Sequence, residues 1–137
     1  AASKAPKTLP RELGTAILEC NEGKFSRARE RAQKVADGAG VDGVKRSEAA
    51  RVLAVVSERL DTRLRRVRWM LDNGFPLEAE ETLEALEKGG VKGWSEREDQ
   101  VSALLRELET PEMRVEKEAR YLSAKADVLM AKNYFRD

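Results

Sequence analysis

Five arginines crowd residues 59–68: Arg59, Arg63, Arg65, Arg66 and Arg68. Arg59, Arg63 and Arg66 are spaced by four and three, so a helix sets them on one face. A positive stripe of that kind could hold the phosphates of a nucleic acid or another anionic surface. Two plainer fates compete with it, solvation and pairing within the chain. If the chain folds back at Gly74, Arg68 comes opposite Glu81 and Arg65 opposite Glu84, which neutralises part of the stripe. No aromatic residues interleave with the arginines, which weakens a single-strand reading.

Other chemistry is thinly supplied. The chain has no histidine, so the commonest general base and metal ligand are both missing. With Cys20 as the one cysteine, zinc sites, Cys-His and Ser-His nucleophile pairs and internal disulfides are closed off. Cys20 itself reads either as a redox thiol or as a small buried hydrophobe, and its match to Leu71, 51 residues on in the internal repeat, favours burial. Glu78, Glu80, Glu81, Glu84 and Glu87 could supply an acid and a base, but at helical spacing they are more simply a solvated face. The glycine-rich stretches at 38–43 and 89–93 lack the Lys-Ser/Thr of a phosphate loop and read as connections. No catalytic, cofactor or metal site is expected. Trp69 and Trp94 are expected to pack between structural units; if exposed, either would mark an interaction hot spot.

The elements that carry these residues are all helical. Pro10, Pro76 and Pro111 sit where helices begin. Leu13, Ile17 and Cys20 recur at helical spacing up to Gly23, and Phe25, Ala28, Ala32 and Val35 follow as a second stripe. After the loop at 38–43, Ser47-Glu48 suggests a start for a long helix. Its seam is Leu53, Val56, Leu60, Leu64, Val67 and Leu71, in alternating steps of three and four. Ala79, Leu83 and Leu86 mark a fourth helix, which Gly89 and Gly90 should break. Ser95 and Glu98 have capping-box spacing before Val101, Leu104 and Leu108. Thr110-Pro111-Glu112 then restarts or kinks the chain into Val115, Ala119, Leu122, Ala126 and Leu129. The expected core comprises Leu13, Ile17, Phe25, Ala28, Ala32, Val35, Leu53, Val56, Leu60, Val67, Leu71, Ala79, Leu83, Leu86, Leu104, Leu108, Val115, Leu122 and Leu129.

The sequence also copies itself. Gly23, Ala28, Ala32, Val35 and Gly38 match Gly74, Ala79, Leu83, Leu86 and Gly89, each 51 residues on. Gly40–Val44 matches Gly90–Trp94, and Leu60-Asp61-Thr62 matches Leu108-Glu109-Thr110. Asn133-Tyr134 falls where Gly74-Phe75 would fall, which suggests a further turn and a longer parent chain. The turn Gly23-Lys24-Phe25-Ser26-Arg27-Ala28 resembles the inter-helix turn of tetratricopeptide repeats, and Asn73–Ala79 keeps its Gly-to-Ala spacing. The departures are a period near fifty, against about thirty-four in that family, longer first helices and a missing closing proline. The resemblance implies antiparallel helical hairpins and a scaffold for other proteins. Residues 110–134 also resemble helical segments that follow thioredoxin-like domains in some bacterial exported proteins, although no redox motif accompanies them.

Composition bounds the rest. The chain has 137 residues, 37% of them charged and 5% aromatic, enough for one core. Residues 1–8 read as a polar tail or linker and residues 9–137 as a single domain. The net charge of +1 hides an asymmetry: residues 1–68 carry 16 Lys/Arg against 9 Asp/Glu, and residues 69–137 carry 10 against 16. No stretch is apolar enough for a membrane span. The expectation is an all-α protein of five or six helices arranged as tetratricopeptide-like antiparallel hairpins. It would be a non-catalytic interaction or assembly scaffold whose partner is another protein or further repeats of the same polypeptide. Two alternatives stand beside it: an anion or nucleic-acid module using Arg59–Arg68, and an accessory domain of an exported redox protein. The compartment is left open.

Overall fold

A 30-residue helix organises the molecule. The computed structural model describes residues 10–38 and 40–134, so the expected tail at 1–8 lies outside it. Six α-helices and no strand occur among the described residues: α1 (Arg11–Asn21), α2 (Phe25–Asp37), α3 (Gly43–Asp72), α4 (Pro76–Ala85), α5 (Ser95–Glu107) and α6 (Pro111–Tyr134).

The seam of α3 drives the packing. Val56, Leu60, Val67 and Leu71 are buried, with Ala49 and Val52 extending the seam towards the helix start. At about 1.5 Å per residue α3 is about 45 Å long, more than twice the length of α1, α2 or α4. Several short helices must therefore cover it in succession. α1 and α2 pack on each other and on α3, and α4 packs on α3 as well. Ala16, Ala28, Ala32 and Ala79 are all fully buried, so the covering helices approach with little side chain between them. Glu19 of α1, itself buried, accepts a hydrogen bond from Arg31 Nε of α2 at 2.5 Å and so latches the first two helices together.

The turns after α1 and α3 are built alike. Gly23 and Gly74 have φ of +85° and +82°, the left-handed conformation that closes a helix end. In each, an amide beyond the glycine reaches back five residues, Lys24 N–H to Glu19 O at 2.9 Å and Phe75 N–H to Met70 O at 2.8 Å. Phe25 and Pro76 then open the next helix, and both are buried.

Four sequence expectations change. α3 starts at Gly43 rather than near Ser47, because Asp42 accepts from Lys45 N–H at 2.8 Å and caps it. The glycines after α4 do not break it at once. Leu86–Gly90 continues as a π-helical turn in which Val91 N–H reaches Leu86 O at 2.9 Å. This turn seats against α2, and a side chain on Gly90 would meet Gly23 O at 3.1 Å. The two glycine loops therefore differ: Gly40 is left-handed in the first and Gly93 in the second, while Gly90 belongs to the π turn. Ser95 makes no side-chain cap; Glu98 instead accepts from Gly93 N–H at 3.1 Å. α6 stays helical through Tyr134, so no turn forms at Asn133.

The core matches expectation through Leu108 and fails beyond it. Ile17, Val35, Leu53 and Leu104 are partly buried at its margin. Val115, Leu122 and Leu129 lie in the open, because only the first turns of α6 meet the body and do so on a different face. Val91, Trp94 and Val101 fill the volume under α4 and α5 instead.

Leu83 is fully buried and Val44 exposed. In urea unfolding, Leu83→Ala should lose about 2–5 kcal/mol, whereas Val44→Ala should stay within about 0.5 kcal/mol of the parent. Equal losses at the two positions would contradict this packing.

Candidate functional site

The arginine face sits along one edge of the α3 seam. At about 100° per residue, Arg59, Arg63 and Arg66 flank one side of the buried stripe, while Arg65 and Arg68 fall on the other. This separation sets their different fates. Arg68 grips Glu107 of α5 with both guanidinium nitrogens, at 2.6 and 3.0 Å, and lies 3.6 Å from Asp72. Arg65 donates to Thr62 Oγ1 at 3.0 Å. The pairings of Arg68 with Glu81 and Arg65 with Glu84 expected from a fold-back at Gly74 are therefore not the ones made. A two-pronged carboxylate contact from α5 holds Arg68 instead.

Arg59, Arg63 and Arg66 are exposed, and none has a carboxylate within 4.0 Å among the described residues. Arg59 donates to Asn21 Oδ1 on α1. Arg63 stacks over the Phe25 ring at 5.1 Å, and its guanidinium occupies the space that a side chain on Gly23 would need. The three arginines with Cys20, Asn21, Phe25 and Thr62 line a depression of about 310 Å³. Arg63 and Arg66 also border a second depression of about 480 Å³, which Glu78 and Glu81 share. One side of the stripe is thus open to an anion, and the other side is partly offset by nearby acid.

Cys20 lies at the floor of the first depression and is buried. Burial pushes its thiol pKa up, against the opposing pull of the Arg59 and Arg63 charges and a hydrogen bond from Arg59. Glu80 pairs with Lys117 of α6, and Glu80, Glu84 and Glu87 face Arg106, Arg114 and Lys117 across another open depression. Among the described residues no group of three or more His, Cys, Asp or Glu could hold a metal ion.

The tryptophans part company. Trp94 is 8% exposed, and two guanidinium groups approach its ring, Arg29 at 4.7 Å and Arg97 at 5.1 Å from its centre. It is a packing residue. Trp69 is 55% exposed and stacks on Phe75 at 5.5 Å. Two residues past Val67 on a helix, it points about 200° away from that seam position, so proximity in sequence does not bury it.

The feature that sequence reasoning missed is α6. Its first turns are held through Met113, which packs on the core margin, Lys117 on Glu80, and Arg120 stacked over Phe75 at 5.3 Å. From Glu118 to Lys132 every residue is exposed. The seam Val115, Ala119, Leu122, Ala126, Leu129 lies roughly 150° around the helix from the docked face. Val115 is 69%, Leu122 55% and Leu129 53% exposed. The one sequence signal for this was alanine at alternate seam positions, where α3 carries larger residues.

No protein-family model, curated protein sequence or solved structure matches the chain.

Because Cys20 is buried and its thiol pKa is raised, a disulfide reagent at pH 8 should label it more than about tenfold faster in denaturant than in the native chain. Arg59→Ala should slow native labelling further, since the arginine lowers that pKa. The folded state favours the neutral thiol. Its contribution to stability should therefore be whole below the ordinary thiol range and fall away as pH rises through it. Native labelling at the unfolded rate would show that the thiol is open.

Proposed function

We propose that this chain is a non-catalytic interaction or assembly module, built on tetratricopeptide-like antiparallel helical hairpins, that presents the seam of α6 to a protein. The exposed seam carries this reading. Val115, Leu122 and Leu129 form an apolar line along one side of α6 that no other described residue covers. Isolated single hydrophobes are ordinary on a surface, but an ordered stripe opposite a docked face is the form that a helix-to-helix contact takes. The hairpin reading is supported by the two glycine turns with equivalent hydrogen bonds, and by the buried pairs Ala28 and Ala79, Ala32 and Leu83, and Cys20 and Leu71, each 51 residues apart. The lack of histidine supports the non-catalytic part of the reading.

A second reading follows from Arg59, Arg63 and Arg66, whose charges are not matched by a carboxylate within 4.0 Å among the described residues. They would bind a phosphate-bearing or otherwise anionic ligand.

Capture from the source lysate, with and without nuclease, separates the two. Leu122→Glu with Leu129→Glu should abolish recovery of stoichiometric proteins that survive nuclease and leave the fold intact, since both side chains are exposed. Under the second reading, recovery would disappear with nuclease or salt and with Arg63→Ala plus Arg66→Ala, whatever stands at 122 and 129. Retention of every partner by the Leu122/Leu129 variant would remove α6 from the argument.

A further inference from the structure

We infer that the occupant of the α6 seam is a second copy of this chain, paired through α6 in antiparallel orientation about a two-fold axis near position 124. The inference rests on the interaction-module reading and names its partner.

Side-chain size sets the register. Within the exposed part of α6 the seam alternates Ala119, Leu122, Ala126, Leu129. An antiparallel pair centred near position 124 sets Leu122 against Ala126 of the second copy and Leu129 against Ala119 of the second copy. The two-fold repeats both, giving four layers. Every layer then joins one large and one small side chain, which fills space evenly and lets the helix axes approach. A parallel, in-register pair would set leucine on leucine and alanine on alanine, leaving gaps at each alanine layer.

Charge favours the same orientation. Glu118 borders the seam in the first half of the helix, and Lys125 and Lys132 border the same side of it in the second, while Glu116 turns towards the Gly74 reversal. Antiparallel pairing brings Lys132 of the second copy alongside Glu118, twice per dimer, whereas parallel in-register pairing sets Glu118 level with Glu118 and Lys132 level with Lys132. Lys125 meets its own copy near the axis, where its long stem lets the charge splay into water.

The body leaves room for this. α6 is fastened at its start by Met113, Lys117 and Arg120, on the side away from the seam, and every residue from Glu118 to Lys132 is exposed. Antiparallel pairing keeps the two bodies at opposite ends of the helix pair. The contact is isologous, so it closes at two copies and leaves no seam for a third. Helices in proteins draw most of their stability from a packed apolar face, and the second copy supplies that burial to the part of α6 beyond its docked first turns.

The test is the mass of the whole chain in solution by light scattering during gel filtration. The expected result is twice the 15.4 kDa chain mass at micromolar concentration, falling to one chain mass for Leu122→Glu plus Leu129→Glu with helicity of the body retained by circular dichroism. Mixing Leu122→Cys chains with Ala126→Cys chains under mild oxidation should crosslink the two kinds to each other well above either kind to itself. Preferential self-crosslinking at Leu122→Cys would overturn the antiparallel orientation. A parent chain that stays monomeric at high micromolar concentration would overturn self-pairing altogether. The interaction reading would survive that second result if nuclease-resistant partners still required Leu122 and Leu129, and would fall with it if they did not.

Discussion

The seam of α3 is the constraint on which the fold depends. A helix of this length with one apolar side cannot stand in water, and no other single helix near it is long enough to cover it. α1 and α2 have 11 and 13 residues and α4 has 10. The chain therefore covers α3 in stages, with α1 and α2 on one stretch and α4 on another. Each stage needs a reversal tight enough to return a helix onto the same seam. Gly23 and Gly74 provide it, because a left-handed residue at a helix end costs glycine little and a residue with a side chain far more. The π turn serves the same geometry. By carrying α4 past its expected end, it brings Leu86 and Val91 into the core and lays Gly90 against the first reversal.

Much of this was legible from residue types, since helix starts, stops and stripes are local. Pro76, Gly23, Gly74 and the α3 stripe each act through neighbours a turn away. What failed was the information that depends on distant partners. Asp42 displaced Ser47 as the start of α3 because its side chain reached an amide three residues on, while the chain around Ser47 was already helical. Arg68 met Glu107 and not Glu81, because α5, remote in sequence, delivers a carboxylate to that side of α3. At the candidate site, the shared face of Arg59, Arg63 and Arg66 followed from spacing alone. Whether carboxylates would neutralise them depended on how α4 and α5 settle.

Periodicity also has a built-in ambiguity that α3 and α6 expose side by side. Both carry apolar residues in alternating steps of three and four, yet one seam is enclosed and the other open. Periodicity states that a helix has an apolar side; it does not state who covers it. Composition within the stripe is more telling. The α3 seam holds Val56, Leu60, Val67 and Leu71, large enough to fill the space beneath several helices. The α6 seam interposes Ala119 and Ala126, which suits one close helical neighbour better than the centre of a multi-helix core.

The charge asymmetry between the two halves of the chain gains a structural sense from this arrangement. The basic half comprises α1, α2 and most of α3, and three of its exposed arginines, Arg59, Arg63 and Arg66, lie along the edge where α1 turns into α2. The acidic half comprises α4 to α6, and two of its carboxylates join elements: Glu107 with Arg68 and Glu80 with Lys117. Arg59, Arg63 and Arg66 stay without a carboxylate within 4.0 Å among the described residues. The two candidate surfaces therefore differ in kind. The arginine edge would act at longer range and weaken as salt screens it. The α6 seam acts only on contact, through burial that salt does not screen. A binding event that used both would show fast, salt-sensitive encounter and salt-tolerant residence. One that used α6 alone would show neither a charge-steered rate nor a dependence on Arg63 and Arg66. The separation of these surfaces onto different helices allows either to be altered without disturbing the other.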